Sequence, residues 1–340
     1  MLDVEKHTLC ARFASLHLCI SGYKKCIVLL GVVMIVYHEL ESVEADLGFS
    51  AKTLYSLTNS IEKHYRRVEI PKHDGSFRVL NVPDALLKSV QCAIAERILA
   101  NEPVSRFATA YKCGSQVQKN AKAHIGKKKL LKLDILHFFD SILYSHVKEK
   151  VFDEKRFSEP IRVLLTMLCY YKDALPQGAP TSPAITNIIM RDFDERVGSW
   201  CLKRGISYTR YCDDMSFSGD FDEREVIRFI ESELSKLGFF LNNRKTSVIT
   251  AEKRQSVTGI VVNEKLNVSS DYRRKLRQEL HYIRKFGIDE HLKKINYCDS
   301  AEKYLQSLLG RVSFVLQTRP NDDFFKSEKA FLIELLKKYK

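Results

Sequence analysis

Residues 210–219 decide the fold, and they read RYCDDMSFSG. This stretch sets two adjacent carboxylates, Asp213 and Asp214, beside a short alternating apolar run. Neighbouring side chains on a straight strand point to opposite faces, so both acids can approach one centre only at the bend of a hairpin. Holding two carboxylates together is costly unless a cation lies against them, and a pair of divalent ions supplies one. Taken alone, an Asp-Asp pair is also typical of an ordinary surface turn.

A third acid, Asp134, lies in the strand-like run LLKLDIL at residues 130–136. Alternation places Asp134 on the same face as Lys132 and Leu136. Three converging carboxylates would hold two Mg²⁺ ions about 3.5 to 4 Å apart. The alternative interpretation of Asp134 is an ordinary salt bridge with Lys132 or a distant partner.

Between these acids lies the loop LPQGAPTSP at residues 175–183. Its prolines and glycine predict a rigid backbone that can come close to a ligand, and the loop leads directly into a helix N-terminus. The alternative interpretation is an ordinary loop followed by a helix cap.

The composition favours a globular chain with a polyanionic partner. Of its 340 residues, 55 are Lys or Arg and 42 are Asp or Glu, which gives a formal charge of +13. Such a surplus suits nucleic acid. The nine cysteines form no CxxC pair and are odd in number, which indicates a reducing, cytoplasmic setting without a disulfide framework.

The longest apolar run, IVLLGVVMIVY at residues 27–37, is shorter than the roughly 20 residues of a membrane-spanning helix. It predicts a buried helix or strand and no membrane association. Because the apolar run ends shortly after Met34, Met34 is an alternative start of translation. Residues 1–46 form an N-terminal extension whose role stays open.

The rest of the chain follows an α+β order. A hairpin is predicted from strands at 68–71 and 77–82, which flank the Asp-Gly turn HDGS at 73–76. From residue 271 the pattern predicts helices to the end of the chain, with dense positive charge at their start.

The strand acid, the Pro-Gln-Gly loop and the Tyr-x-Asp-Asp hairpin, in this order, resemble the palm of reverse transcriptases, most closely the bacterial retron type. The resemblance covers residues 47–340 and implies a right-hand polymerase fold. Fingers and palm would interleave over residues 47–262, and a helical thumb would occupy residues 263–340. Cys212 stands where this family more often has alanine, a small change that should preserve the hairpin and expose activity to oxidation.

The same resemblance implies a set of nucleotide contacts. Arg78 and Lys72 would bind the triphosphate from the fingers hairpin, and Phe139 would select deoxynucleotides by contact with the sugar. The remaining implied groups are Gln177 near the new base pair, Lys245 near the leaving pyrophosphate, and the backbone carbonyl of Ile135 in the metal shell. Solvated charges and core packing are the alternative roles of these side chains.

Two further motifs resemble those that distinguish retron enzymes. NAKAH at residues 120–124 has the Asn-Ala-x-x-His form, and VTG at residues 257–259 matches a motif associated with recognition of the enzyme's own RNA. The implied RNA-recognition residues are Asn120, His124, Val257, Thr258, Gly259, Arg273, Arg274, Lys275 and Arg277. A solvated helix face is the alternative for the last four.

Together these features predict an RNA-directed DNA polymerase that uses dNTPs and two Mg²⁺ ions, with Mn²⁺ as a substitute. The retron resemblance implies a cognate structured noncoding RNA and a short DNA joined to RNA (msDNA), in antiphage defence with an effector protein. Host RNase H would remove the template. The alternatives are a group II intron-like or diversity-generating reverse transcriptase, a catalytically idle RNA-binding scaffold, and an RNA-dependent RNA polymerase, which Phe139 argues against.

Overall fold

The computed structural model describes residues 19–21, 24–29, 32–71, 75, 77–112 and 114–339. The strands are β1 (Cys19–Ser21), β2 (Lys24–Leu29), β3 (Val32–Val36), β4 (Tyr65–Pro71), β5 (Phe77–Pro83), β6 (Lys129–Asp134), β7 (Ser207–Tyr211), β8 (Asp214–Gly219), β9 (Ser247–Thr250), β10 (Ser256–Val257) and β11 (Ile260–Val261).

The α-helices alternate with these strands and then dominate the C-terminal part. They are α1 (Leu40–Leu47), α2 (Ala51–Asn59), α3 (Ala85–Ala93), α4 (Val117–Lys122), α5 (Tyr144–Lys150), α6 (Glu159–Cys169), α7 (Ser182–Leu202), α8 (Glu223–Ser235), α9 (Ser270–Phe286), α10 (Ile288–Lys294), α11 (Ala301–Thr318) and α12 (Asp323–Lys337). A π-helical turn at Ile94–Ile98 and 3₁₀ turns at Ile61–His64 and Leu99–Asn101 complete the order.

The chain divides into two compact units. The first comprises Met1–Arg106, Ile135–Glu195 and Glu233–Phe240. The second comprises Phe107–Asp134, Arg196–Ser232 and Leu241–Lys340. Each unit is therefore assembled from three separate segments of the sequence.

The first unit contains the β4–β5 hairpin and several helices. Tyr65 pairs with Pro83 and Pro71 with Phe77, so the two strands match along their whole length. Helices α3 and α6 are joined inside this unit by the buried Gln91 amide, which donates to the Leu168 carbonyl at 2.8 Å. The hairpin predicted from the sequence is thus present, with most of its turn outside the described residues.

The second unit is built on a four-stranded antiparallel sheet in the order β7-β8-β6-β9. Strand β6 is central, and its three leucines, Leu130, Leu131 and Leu133, are buried although they point to both faces of the sheet. Such a run suits a strand covered on both faces. The strand predicted at 130–136 is confirmed, although it ends at Asp134.

The C-terminal helices share one hydrophobic core with this sheet. Leu130 of β6 and Ala121 of α4 belong to the same buried cluster as Val257 and Ile260 of the β10–β11 ribbon. Apolar residues of α9, α10, α11 and α12 complete the cluster: Leu276, Leu280, Ile283, Ile288, Leu292, Leu305, Leu308, Val312, Val315, Phe325 and Leu332. The predicted helical tail is confirmed, and its assignment as a separate thumb stays a prediction.

Within the apolar run at residues 27–37, residues 27–29 of β2 pair antiparallel with residues 32–34 of β3. Across the described ranges, we find no helix with the length and apolar character that a membrane crossing requires.

Candidate active site

The two adjacent acids lie at the bend of the β7–β8 hairpin, as the sequence predicts. Tyr211 pairs with Asp214, which leaves Cys212 and Asp213 as the connecting residues. Cys212 has a φ of 60°, a left-handed backbone that few residues other than glycine adopt. Because of this bend, both carboxylates lie at the same end of the sheet.

The third acid lies directly across the sheet from this bend. Asp134, the last residue of β6, is the register partner of Asp214 in β8. Directly opposed residues in an antiparallel pair have Cβ atoms about 4.5 to 5.5 Å apart, and like charges in such a pair are destabilising. The sheet therefore places three carboxylates close together, at the end of β6 and the start of β8.

Electrostatics show how poorly these charges are neutralised by the protein alone. Burial raises the pKa of the Asp213 carboxyl, and the negative charges of Asp214 and Asp134 raise it further. Burial also raises the pKa of Asp214, with Asp134 again adding to the effect. A site that disfavours its own carboxylate charges is one that a cation would stabilise.

One cation of the chain already lies against Asp134. The Lys245 ammonium is 2.8 Å from one carboxylate oxygen of Asp134, and the Asn242 amide donates to the other at 3.1 Å. The Asn242 backbone N–H also donates to the Asp134 carbonyl at 2.8 Å. The hydrogen bond between the Lys245 ammonium and the Asp134 carboxylate raises the pKa of Lys245, which therefore stays charged. Lys245 thus lies beside Asp134, and its role at the leaving pyrophosphate stays a prediction.

The donor chemistry fits a divalent ion, because carboxylate oxygens are the ligands that Mg²⁺ prefers. In the present arrangement, however, no three Asp, Glu, His or Cys side chains within the described ranges are grouped to hold a metal. Both oxygens of Asp134 face Asn242 and Lys245 instead. The Lys245 side chain is 61% exposed, which leaves it room to change its conformation.

Three residues of this site were not predicted from the sequence. Asn242 orients Asp134, and Arg210 supports the bend: its fully buried guanidinium donates to the Cys212 carbonyl at 2.9 Å. Tyr111 is hydrogen-bonded to the Cys212 side chain. An arginine in the predicted hairpin, shortly before the two acids, was the available signal for Arg210, because a buried charge needs a specific partner. No local signal marks the other two.

Cys212 is better protected than its position at the bend suggests. Burial raises the pKa of its thiol to about 11. Since the thiolate is the reactive form, the protonated thiol is a poor target at neutral pH. The expected sensitivity of activity to oxidation stays a prediction.

The first unit brings together several of the predicted nucleotide contacts. The Leu175 N–H donates to the Phe139 carbonyl at 3.2 Å, and the Asn81 N–H of β5 donates to the Gln177 carbonyl at 3.0 Å. A Cβ on Gly178 would lie 2.8 Å from the Asn81 carbonyl oxygen, so this loop position requires glycine. The Pro-Gln-Gly loop, Phe139 and the hairpin strand thus form one local cluster.

The other predicted contacts of this group differ in their surroundings. Arg78 lies on β5 opposite Ile70 and is exposed. Ile135 is buried and also belongs to the first unit. Lys72 lies outside the described residues. The nucleotide-binding and metal-binding roles of these residues stay predictions.

The retron-type motifs are largely buried in the second unit. Asn120 is 1% exposed, His124 is fully buried and Val257 is part of the core. Thr258 and Gly259 form the turn between β10 and β11. A role of these residues in RNA recognition stays a prediction, and the burial of Asn120 and His124 gives their side chains little access to a nucleic acid.

The predicted basic residues lie on the first two turns of α9. Arg274 pairs with Asp271 at 2.9 Å, whereas Arg277 lies over the Phe324 and Phe325 rings. Lys275 is exposed and Arg273 is half-buried. Arg277 therefore contributes to packing of the C-terminal helices, in addition to any contact with a phosphate backbone.

Comparison with known protein families identifies one whose members share this part of the sequence. The sequence profile of the family described as reverse transcriptase (RNA-dependent DNA polymerase) matches residues 70–300. The chain belongs to this family. The match includes Asp134 and the hairpin with Asp213 and Asp214, and it supports the right-hand polymerase fold expected from the sequence.

Three relatives narrow the family to the retron type. The retron Mx65 reverse transcriptase of Myxococcus xanthus is 32% identical, and the alignment covers 72% of this chain and 63% of that protein. The retron Ec83 enzyme of Escherichia coli is 31% identical, over 62% of this chain and 73% of that protein. The retron Ec86 enzyme of the same organism is 29% identical, over 73% and 79%. The chain thus spans less than two thirds of the Mx65 enzyme.

Among solved structures, the apo telomerase of Candida tropicalis aligns with a TM-score of 0.43 at 13% identity, over 86% of this chain and 63% of that protein. A foamy viral protease-reverse transcriptase in complex with double-stranded DNA aligns with a TM-score of 0.41 at 13% identity, over 78% and 40%. Likenesses of this size add nothing about function.

Proposed function

We propose that this protein is an RNA-directed DNA polymerase that copies a cognate structured noncoding RNA into a short DNA covalently joined to RNA. The observation that carries the proposal is the meeting of Asp134 with the hairpin acids Asp213 and Asp214 at one sheet edge, in a chain of the retron reverse transcriptase family.

The acids would hold the divalent metal ions that this family generally uses, and we propose two Mg²⁺ ions, with Mn²⁺ as a substitute. Such ions, when bound, activate the attacking hydroxyl and neutralise the triphosphate. The backbone carbonyl of Ile135 would complete the ligand set. Asn242 keeps Asp134 oriented, and Arg210 keeps the bend in place.

Lys245 would have two states in this scheme. Without metal, its ammonium balances Asp134 across 2.8 Å. With metal, its exposed side chain is free to turn to the phosphates of the nucleotide, where it would hold a proton for the departing pyrophosphate. In the metal-free state the hydrogen bond with Asp134 raises the pKa of Lys245, so Lys245 is already protonated when it leaves Asp134.

The nucleotide would be bound by the first unit. Arg78 and Lys72 would contact the triphosphate, because guanidinium and ammonium groups bind phosphate strongly. Phe139 would pack against the sugar and exclude a 2′-hydroxyl, and Gln177 would contact the new base pair. These roles select dNTPs and disfavour RNA synthesis.

The partners follow from the same proposal. The basic face of α9, with Arg273, Arg274 and Lys275, would track the phosphates of the RNA/DNA product in a salt-dependent way. We further propose that the enzyme works in the cytoplasm, that host RNase H removes template, and that the product acts with an effector protein in antiphage defence.

The test is direct. The full chain is purified with the transcript of its flanking DNA, supplied with labelled dNTPs and Mg²⁺, and the products are separated before and after debranching enzyme. We expect a DNA whose RNA link is lost only after debranching. The double variant Asp213→Asn with Asp214→Asn should make no product.

Asp220→Asn is the matched control, since Asp220 is an exposed acid that follows β8 at its opposite end and pairs with Lys128. It should give product like wild type. If the double variant also did so, the metal-site assignment would be wrong. Extension of a free primer alone, with no RNA-linked DNA, would reject the retron product while retaining the polymerase.

A further inference from the structure

A buried histidine joins the two strands of the catalytic hairpin. One ring nitrogen of His124, Nδ1, lies 2.7 Å from the Ser218 hydroxyl of β8, and the other, Nε2, lies 2.8 Å from the Thr209 hydroxyl of β7. His124 is fully buried. A neutral imidazole has one donor and one acceptor, so one hydroxyl accepts and the other donates, and both ring nitrogens are satisfied.

Asn120, one helical turn earlier, reaches the same hairpin by another route. The Thr109 hydroxyl donates to its side-chain oxygen at 3.0 Å and also lies 2.9 Å from the Arg210 carbonyl. The Thr109 N–H donates to that carbonyl at 2.8 Å. Asn120 is therefore linked through one residue, Thr109, to the backbone carbonyl of Arg210.

Thr258 fastens the other side of Asn120. The Asn120 amide donates to the Thr258 hydroxyl at 3.4 Å, and that hydroxyl is 3.3 Å from the Val117 carbonyl of α4. Thr258 and Gly259 have φ values of 47° and 80°, as a two-residue type I′ hairpin turn requires. Each letter of the VTG motif thus has a local role: core packing, hydrogen bonding and turn formation.

These contacts reach the catalytic bend through Arg210. Its backbone is held by Thr109 on one side, and its buried guanidinium donates to the Cys212 carbonyl at 2.9 Å. Cys212 directly precedes Asp213. A connected set of buried and partly buried polar contacts therefore leads from the β10–β11 turn to the bend that carries Asp213 and Asp214.

We propose that Asn120 and His124, anchored through Thr258, are positioning residues that hold the hairpin of Asp213 and Asp214 in its working geometry. The inference rests on the proposed polymerase function. Phosphoryl transfer depends almost entirely on positioning and charge, and a displacement of about 1 Å can cost roughly a hundredfold in rate. Side chains buried to this degree act on the enzyme's own strands.

The experiment separates positioning from RNA recognition. The full chain is assayed for dTTP incorporation on poly(rA)/oligo(dT), which lacks any cognate structure, and binding to the transcript of its flanking DNA is measured in parallel. The variants come in pairs: His124→Leu removes both hydrogen bonds, whereas His124→Gln keeps a donor and an acceptor. Thr258→Val and Thr258→Ser form the second pair, and Ala123→Ser, exposed within the motif, is the control.

We expect His124→Leu and Thr258→Val to lower kcat on poly(rA)/oligo(dT) by about tenfold or more, with KM for dTTP and the transcript Kd within about twofold of wild type. His124→Gln and Thr258→Ser should recover most of kcat. Should His124→Leu fail to fold, Thr209→Val and Ser218→Ala each remove one partner hydroxyl and carry the same expectation.

Variants that keep kcat on poly(rA)/oligo(dT) but bind the transcript more weakly would overturn the inference and identify RNA-reading residues. So would single-hydroxyl variants with wild-type kcat. A wild-type protein that extends no primer would instead reject the polymerase function itself, and the inference with it.

Discussion

The two ends of the β7–β8 hairpin differ in how well their polar groups are stabilised. At the bend, Asp213 and Asp214 carry raised pKa values because burial and neighbouring acids oppose their charge. At the other end, His124 has its pKa lowered to about 4 by burial, and both its nitrogens are hydrogen-bonded. One end is short of positive charge, and the other is neutral and satisfied.

This difference separates a site built for a ligand from a site built for structure. Fully satisfied polar networks in a core rigidify it, whereas incompletely neutralised groups persist where function requires them. The same short hairpin thus combines an electrostatically strained edge with a rigid support.

The largest expected effect comes from removing an acid at the strained edge. Asp214→Asn should lower dNTP incorporation by about a thousandfold, since a proposed metal ligand is lost. Its effect on stability should have the opposite sign. A carboxyl whose pKa is raised in the folded state makes the protein less stable as the pH rises from the unfolded to the folded pKa. At pH 7 without metal, replacing it by a neutral amide should therefore raise Tm.

Primer extension and metal-free thermal unfolding of Asp214→Asn measure these two effects, with Asp220→Asn as the control. A lower Tm without metal would show that the acids are not under electrostatic strain.

The next effect concerns the neutral end. The folded pKa of His124, about 4, lies below its ordinary value of 6.5. The unfolded chain therefore binds the proton more readily, and stability is lost as pH falls from about 6.5 to about 4. The loss is on the order of 3 kcal/mol. Urea unfolding across this range should show a shallower loss for His124→Gln than for wild type.

An exposed histidine gives the control, since His281→Gln should unfold like wild type at each pH. Equal pH dependence of wild type and His124→Gln would mean that His124 does not stay neutral in the folded protein.

Arg210 tests the link between the two ends. Arg210→Met keeps volume but leaves the Cys212 carbonyl without its donor, which should cost about 2 kcal/mol in the free energy of unfolding. It should also lower kcat at temperatures where the variant is fully folded. Arg210→Lys retains one donor and should lose less of both. A normal kcat in folded Arg210→Met would show that the geometry of the bend does not depend on the Arg210 side chain.

A smaller effect is expected at the turn of the VTG motif. Gly259 has a φ of 80° and open space around it, so Gly259→Ala costs only the left-handed strain, about 1 kcal/mol. Gly259→Asn should cost less, because asparagine tolerates this conformation. Gly310 of α11 also has open space but no positive φ, so Gly310→Ala should stabilise. Denaturant unfolding of the three variants orders them.

The smallest effect concerns the cation that already balances Asp134. Lys245→Met removes a charge that competes with metal, so calorimetric titration should show Mg²⁺ binding several-fold tighter. Lys128→Met removes a lysine paired with exposed Asp220 and should leave the Mg²⁺ affinity unchanged. Weaker binding in Lys245→Met would mean that Lys245 assists the ion.

Local patterns were enough to predict the strand of Asp134, the hairpin bend and the loop that precedes α7. Each depends on alternation, turn residues or a helix start within a few positions. The supports could not be predicted in this way. His124 meets partners 85 and 94 residues away, and Asn120 meets Thr258 across 138, so only the folded chain brings them together. The polar motifs themselves were visible, but their burial was not.

The contacts of His124, Asn120 and Thr258 join neutral groups, and this has a consequence for ionic strength. Dissolved salt screens charges, and it acts little on buried hydrogen bonds between uncharged partners. The basic face of α9, in contrast, would lose affinity for phosphates steeply as counterions accumulate. Rising salt should therefore release the nucleic acid while the acids of the hairpin keep their geometry.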